Sequence, residues 1–171
     1  MQTLWRVLFG LMRIWLGFQW LEAGLQKITN PLWVGDKAGT AVTGFFKGAI
    51  AKATGDHPAV QGWYAAFLKN VAMPNAAVFS YLVAFGETLV GLALILGVAT
   101  TAAALAGAFM NLNFMLAGTT STNPILFTVA IILLFSGSKA RHFGLDYYVL
   151  PLLRRWAGMI ASRERRATAS G

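Results

Sequence analysis

The chain has no cysteine among its 171 residues. Disulfide exchange, thiolate-ligated iron–sulfur clusters and a persulfide carrier are therefore excluded within this polypeptide, and any thiol chemistry must belong to a partner. Charge is scarce as well, since only 12% of the residues are charged and Glu87 is the single charged side chain between Lys69 and Lys139. An ionisable side chain inside so long an apolar segment is a candidate for function, because burying it there is costly.

Long apolar stretches fill most of the remainder, and hydrophobic residues make up 57% of the chain, which is typical of integral membrane proteins. Crossing a bilayer takes a helix of roughly 20 apolar residues. We therefore predict one all-α domain at residues 1–148, an integral membrane four-helix bundle with spans at about 4–25, 77–98, 101–118 and 124–138. Arg13 and Trp20 argue against a cleaved signal peptide, which has an uninterrupted apolar region and small residues at its cleavage site.

Basic residues set the predicted orientation of the bundle. Nine of them lie near the two termini and five lie in the loop 26–75, so the positive-inside tendency places both termini in the cytoplasm. The net charge of +8 suits anionic lipid headgroups, whereas the sequence offers no basic face of the kind that binds nucleic acid. The tail at residues 149–171 predicts a basic amphipathic helix on the cytoplasmic surface, disordered at its end.

The first loop is too apolar for a flexible linker. Its aromatic and aliphatic residues predict two short amphipathic helices, about Thr40–Lys52 and Ala59–Val71, that lie at the outer interface and cap the bundle. Asp56 and His57 form the turn between them, and two such residues are fewer than the three or four ligands of a zinc site, so no metal is predicted. His57 and His142 both fall outside the spans, which excludes haem ligation from two helices.

Three polar residues are predicted to meet near the centre of the bilayer. A helix rise of about 1.5 Å per residue places Arg13, Glu87 and Asn111 at one level, and each lies on a stripe of small residues that allows close helix approach. In the first span that stripe consists of Gly10, Arg13, Gly17, Trp20 and Gly24. Two interpretations stay open. The cluster is either a buried ion pair of Arg13 with Glu87 that fixes helix register, or a polar pocket where Arg13 and Asn111 bind a carbonyl or an anion and Glu87 relays protons.

A second polar stripe on the first span runs through Gln19, Glu22 and Gln26. At about 100° per residue, Glu22 lies half a rotation away from Arg13 and further outward, near the headgroup level. Either contact with interfacial water or contact with a ligand explains such a position. Arg13 and Glu87 are therefore the candidates for a catalytic role. The candidate ligand-binding residues are Gln19, Trp20, Glu22, Asn111 and Asn113.

Several short segments together resemble the DoxX family. They are WLEAGLQK at 20–27, FGETLVG at 85–91 and MNLNFMLAG at 110–118, followed by STNP at 121–124 and FGLD at 143–146. The resemblance covers about residues 4–148. It implies a bacterial or archaeal four-helix protein of the cytoplasmic membrane, similar to the DoxD subunit of thiosulfate:quinone oxidoreductase, in which thiosulfate is oxidised to tetrathionate and electrons pass to a membrane quinone.

Three functions remain open on the sequence. The first is a membrane subunit of a quinone-linked oxidoreductase in thiosulfate, sulfur or thiol redox metabolism, with the quinone ring against Trp15, Trp20 or Phe114 and no covalently bound cofactor. The second is a non-catalytic membrane anchor or assembly partner for soluble redox or sulfur-transfer enzymes. The third, a small-anion transporter, finds little support in four short helices. The small-residue stripes also leave room for a homodimer.

Overall fold

The computed structural model describes residues 1–149 and 151–152. These residues form helices and turns without a strand, so the predicted all-α class is confirmed for them. Nearly all of the predicted basic tail at 149–171 lies outside the described residues. Within the described residues, the α-helices named below are α1 (Gln2–Ile28), α2 (Thr40–Ala51), α3 (Gly62–Phe67), α4 (Ala76–Leu96), α5 (Thr100–Leu116), α6 (Asn123–Ser136) and α7 (Ser138–Arg141).

The long helices α1, α4, α5 and α6 form a ring in which each packs against two others, in the order α1, α4, α5, α6 and back to α1. Each of them coincides with a predicted span to within a few residues. By length and composition, one helix in the described part of the chain is suited to crossing a membrane, the continuous helix at 62–96, while α5 and α6 are shorter apolar helices. Four membrane crossings therefore stay a prediction.

The second predicted loop helix, Ala59–Val71, is not a separate element. Helix α3 continues through a π-helical turn, Leu68–Ala72, and a 3₁₀ turn, Met73–Asn75, directly into α4. Pro74 lacks a backbone N–H and would break a regular α-helix, but it is accommodated at the start of the short 3₁₀ turn. The predicted boundary at this point is therefore wrong, because the proline changes the helix type without ending the helix.

Glycine brings α1 and α4 into close contact. A Cβ atom on Gly17 would lie 2.9 Å from the backbone nitrogen of Ile95, and Cβ atoms on Gly24 and Gly91 would meet the backbone of the opposite helix. Larger residues at these positions would therefore force the two helices apart. The predicted stripe of α1 is confirmed, since all five of its members are buried.

An apolar cluster closes one end of the bundle. The cap, which we define as residues 40–72, packs Val42, Phe46, Tyr64 and Leu68 against Ala117 at the end of α5. The hydroxyl of Tyr64 donates to the main-chain oxygen of Asn113 at 3.0 Å, and the ammonium of Lys52 donates to the oxygen of Gly118 at 2.9 Å. The cap is thus held to the bundle by hydrogen bonds as well as by apolar contact.

Candidate functional site

A cavity of about 570 Å³ lies between the cap and the adjoining half of the bundle. Volumes of roughly 300–1,000 Å³ are usual for sites that bind small organic molecules. Most of its wall is apolar, and the aromatic residues in it are Trp20, Trp33, Phe45, Phe46, Tyr64, Phe67, Phe79, Phe109 and Phe114. Charged and amide side chains occupy a smaller part of the wall, and these are Gln19, Glu22, Gln26, Lys27, Glu87, Asn113 and Asn123.

Glu87 forms an ion pair with Lys27 on the cavity wall. The Lys27 ammonium donates to the Glu87 carboxylate at 2.6 Å and to the main-chain oxygen of Ala23 at 3.3 Å. The side chain of Glu87 is 3% exposed and that of Lys27 is 21% exposed. The same ammonium lies 5.3 Å from the ring centre of Trp33, within cation–π range. A buried carboxylate with a cationic partner therefore faces a largely apolar cavity.

The predicted pairing of Arg13 with Glu87 is wrong. Arg13 is 1% exposed, and its guanidinium donates to the main-chain oxygens of Leu94 at 2.6 Å, Ile95 at 3.4 Å and Phe143 at 3.4 Å. Glu87 precedes Leu94 by seven residues, which is about 10 Å of helix rise. The depth argument failed because α1 and α4 are offset along their axes, so that equal midpoints do not mean equal levels.

Asp146 complements Arg13 at the turn between α4 and α5. Its carboxylate accepts from the backbone N–H groups of Ala99 at 2.7 Å and Thr100 at 2.8 Å, which are unpaired donors at the start of a helix. Between them, Arg13 and Asp146 satisfy the main-chain groups at the end of α4 and the start of α5. The turn itself requires Gly97, which has φ +67° and is packed against both the Arg13 guanidinium and Gly144. We call this region the turn end of the bundle.

Asn111 is fully buried on α5, but it does not line the cavity. Among the described residues, neither its amide nitrogen nor its amide oxygen has a hydrogen-bond partner, and neither does the indole nitrogen of Trp20. That indole packs on Gly107, one helical turn before Asn111, where an added Cβ would lie 3.0 Å from it. Asn111 therefore lies one turn from the glycine on which Trp20 packs. It makes no hydrogen bond with Arg13, contrary to the predicted cluster.

The structure brings five of the seven sequence-predicted site residues to the cavity. They are Gln19, Trp20, Glu22, Glu87 and Asn113, whereas Arg13 and Asn111 are elsewhere. Of the three aromatic residues predicted to contact a ring, Trp20 and Phe114 line the cavity and Trp15 does not. Glu22 is exposed at the protein surface and accepts a hydrogen bond of 3.5 Å from Gln26.

Sequence reasoning missed Lys27 as the partner of Glu87 and the cap aromatics as cavity walls. Lys27 is in the segment WLEAGLQK, and a lysine at the end of an apolar helix can direct its long side chain back along the helix. The cap aromatics could be assigned only to an interface, because the sequence does not say which helices they contact. Among the described residues there is no group of three or more His, Asp or Glu side chains that could hold a metal ion.

The described residues thus form an all-α bundle with a buried ion pair beside an apolar cavity. The DoxX family model matches residues 8–120, and the chain belongs to the DoxX family. DoxX is a membrane family associated with oxidoreductase-related subunits. Searches of curated proteins and of solved structures gave no match.

Proposed function

We propose that this chain is a membrane subunit of a quinone-linked oxidoreductase and that its cavity binds the ring of a membrane quinone as substrate. The observation that carries the proposal is the combination, in one cavity of about 570 Å³, of an aromatic wall with the buried Lys27–Glu87 pair. A flat, apolar ring with two carbonyl oxygens needs this combination: aromatic faces for the ring and a few polar groups to fix its orientation.

The polar wall has the groups that the chemistry needs. Reduction of a quinone to a quinol takes up two electrons and two protons. The Lys27 ammonium can donate a hydrogen bond to a ring oxygen, and Glu87 can exchange a proton at the same wall. Their burial excludes most of the surrounding water, which strengthens such interactions. In this arrangement Lys27 takes over the contact with the quinone oxygen that the sequence assigned to Arg13.

Electrons must come from outside the chain, which has no cysteine. The proposed electron donor is a soluble redox protein that oxidises thiosulfate or a thiol, in line with the family's association with oxidoreductase subunits. Four membrane crossings, with both termini in the cytoplasm, complete the proposal. A bundle that only anchors such an enzyme would not require a polar ion pair on an aromatic cavity, so the anchor function is the alternative against which the site is tested.

The test is binding of a decyl-tailed benzoquinone to the purified protein in detergent. Wild-type protein should bind it saturably, and Glu87→Gln should weaken binding about 10-fold or more, because the variant loses the charged partner of Lys27. Val83→Phe should weaken it to a similar extent by filling part of the cavity, since Val83 lines the wall.

The matched control is Leu89→Phe. Leu89 is on the same helix as Val83, is 64% exposed, and does not line the cavity. Its substitution should leave the affinity within about two-fold of wild type. An absence of saturable binding, or equal binding by wild type, Glu87→Gln and Val83→Phe, would reject the quinone site and favour the anchor.

A further inference from the structure

Solvent-exposed residues line the cavity on two sides, and the two sides differ in chemistry. On one side, Leu82 of α4 and Phe109 of α5 line the cavity and are also 62% and 67% exposed. One turn further along α4 the two helices close on each other, since a Cβ on Gly86 would lie 3.3 Å from the sulfur of Met110. Leu82 and Phe109 thus border an apolar gap, and neither of these two exposed residues is charged.

The second side is polar and lies between α1 and the start of α6. Glu22 and Gln26 of α1 line the cavity and are exposed. Across from them, Thr122 is exposed and Asn123 half-buried, and both line the same cavity. Carboxylate, amide and hydroxyl groups remain hydrated when they are exposed, so water rather than hydrocarbon suits this gap.

The two gaps are on opposite faces of the bundle. The ring order places the α4–α5 neighbours across from the α1–α6 neighbours, and the Lys27–Glu87 pair is on the wall between the two gaps. If apolar residues closed the cavity on all sides, its wall would contain exposed residues of one chemical type only, or no exposed residues.

We infer that the cavity has two mouths with separate tasks: an apolar mouth at Leu82 and Phe109 that admits a hydrophobic ligand from the bilayer, and a polar mouth at Glu22 and Gln26 that connects the ion pair to water. The inference rests on the proposed function for the placement of the bundle in the membrane and for the identity of the ligand as a quinone. Segregated mouths let a lipid-soluble molecule and protons reach the same charged wall by different routes. The lipid-soluble molecule then does not have to cross the hydrated polar mouth. Protons do not have to cross the apolar mouth, where their charge would lose its hydration.

The chain has no cysteine, so a single introduced cysteine reports access without background labelling. Ala23→Cys places the reporter on the cavity wall. In vesicles of phosphatidylcholine and phosphatidylglycerol, the reporter is labelled either with a lipid-soluble maleimide or with a charged maleimide that cannot enter bilayers. Leu82→Trp narrows the apolar mouth and Gln26→Trp narrows the polar one. Leu89→Trp is the control on α4, exposed but outside the cavity wall.

Leu82→Trp should slow the lipid-soluble reagent about five-fold or more while leaving the charged reagent within two-fold, because a bulky side chain obstructs only the gap that it borders. Gln26→Trp should give the reverse pattern, and Leu89→Trp should change neither rate by more than about two-fold. Equal effects of Leu82→Trp on both reagents, or no labelling of the reporter by the charged reagent, would overturn the two-mouth assignment.

Adding a decyl-tailed benzoquinone then separates this inference from the proposed function. Protection of the reporter by the quinone, reduced in Leu82→Trp and retained in Leu89→Trp, supports both. Segregated labelling rates without any protection support the two mouths and reject the quinone as the ligand.

Discussion

The interface between α1 and α4 holds two buried charged regions, and they are built differently. At the turn end, the Arg13 guanidinium is bound to the main-chain oxygens of Leu94, Ile95 and Phe143. Nearer the cap, the carboxylate of Glu87 is bound to a single lysine side chain, Lys27, and the pair borders a cavity. A buried charge whose hydrogen bonds all go to the backbone is occupied in holding the chain, whereas a buried charge at a cavity wall has a face on which a ligand can act.

This difference indicates separate roles for Arg13 and Glu87, which the sequence had placed in one predicted cluster. Arg13 and Asp146 together satisfy backbone groups on both sides of the α4–α5 turn. Satisfying such groups is a structural task, since an unpaired buried carbonyl or N–H is destabilising. The Lys27–Glu87 pair performs no comparable service for the backbone beyond one contact of Lys27 with Ala23. We therefore expect substitutions at the turn end to affect folding and substitutions at the cavity to affect binding.

Arg13→Leu should have the largest effect on stability. The variant removes the cation from a fully buried position and leaves the oxygen of Leu94 and the carboxylate of Asp146 without it. We expect the free energy of unfolding to fall by about 3 kcal/mol, measured by chemical denaturation in detergent. The control is Arg6→Leu on the same helix. Arg6 makes one long contact of 3.3 Å with His142, and its loss should cost less than about 1 kcal/mol. A stable Arg13→Leu protein with impaired ligand binding would contradict the structural role of Arg13 and give it a binding role instead.

Asp146→Ala should have the next largest effect. Its carboxylate is the acceptor for the first N–H groups of α5, and loss of such a helix cap costs about 1–2 kcal/mol. Amide hydrogen exchange should show where the structure loosens. Exchange should accelerate more at Ala99 and Thr100 than at the amides of residues 40–72. Asp56→Ala, at an exposed turn, is the matched control and should stay within about 0.5 kcal/mol of wild type. Uniform acceleration throughout the chain would mean that Asp146 does not act locally.

The helices and their buried faces were predictable from the sequence, but the relative levels of the helices were not. The stripe of Gly10, Arg13 and Gly17 is buried as expected, and so is the face of α4 that carries Ser80, Ala84 and Glu87. Periodicity sets these faces, because it is a property of each helix alone. The axial offset between α1 and α4 depends on how glycines of one helix fit the backbone of the other, such as Gly91 against Leu21, and no single segment encodes that fit.

The cavity was predictable only in part for the same reason. Gln19, Glu22 and Asn113 were recognisable as polar residues in apolar segments, and they do line the cavity. Phe46 and Tyr64 could be recognised as apolar residues of the loop, but their position over the ends of α4 and α5 arises from the cap's own packing. The proline-containing turn that continues α3 into α4 also contributes, since it determines where the cap helices lie. Contacts between distant segments therefore decided the site, and single-segment patterns could not.

Glu87→Gln should have the smallest effect on stability, although it is the variant expected to lose ligand binding. Glutamine keeps the shape of the side chain and an oxygen that can accept from Lys27. The lysine is 21% exposed, so its ammonium can turn towards water when the carboxylate is gone. We therefore expect a decrease of about 1 kcal/mol in the free energy of unfolding, measured under the same denaturation conditions as for Arg13→Leu. A loss as large as that of Arg13→Leu would make Glu87 a structural residue like Arg13. Stability close to wild type, together with lost quinone binding, would place the two charged regions of one helix interface in different roles.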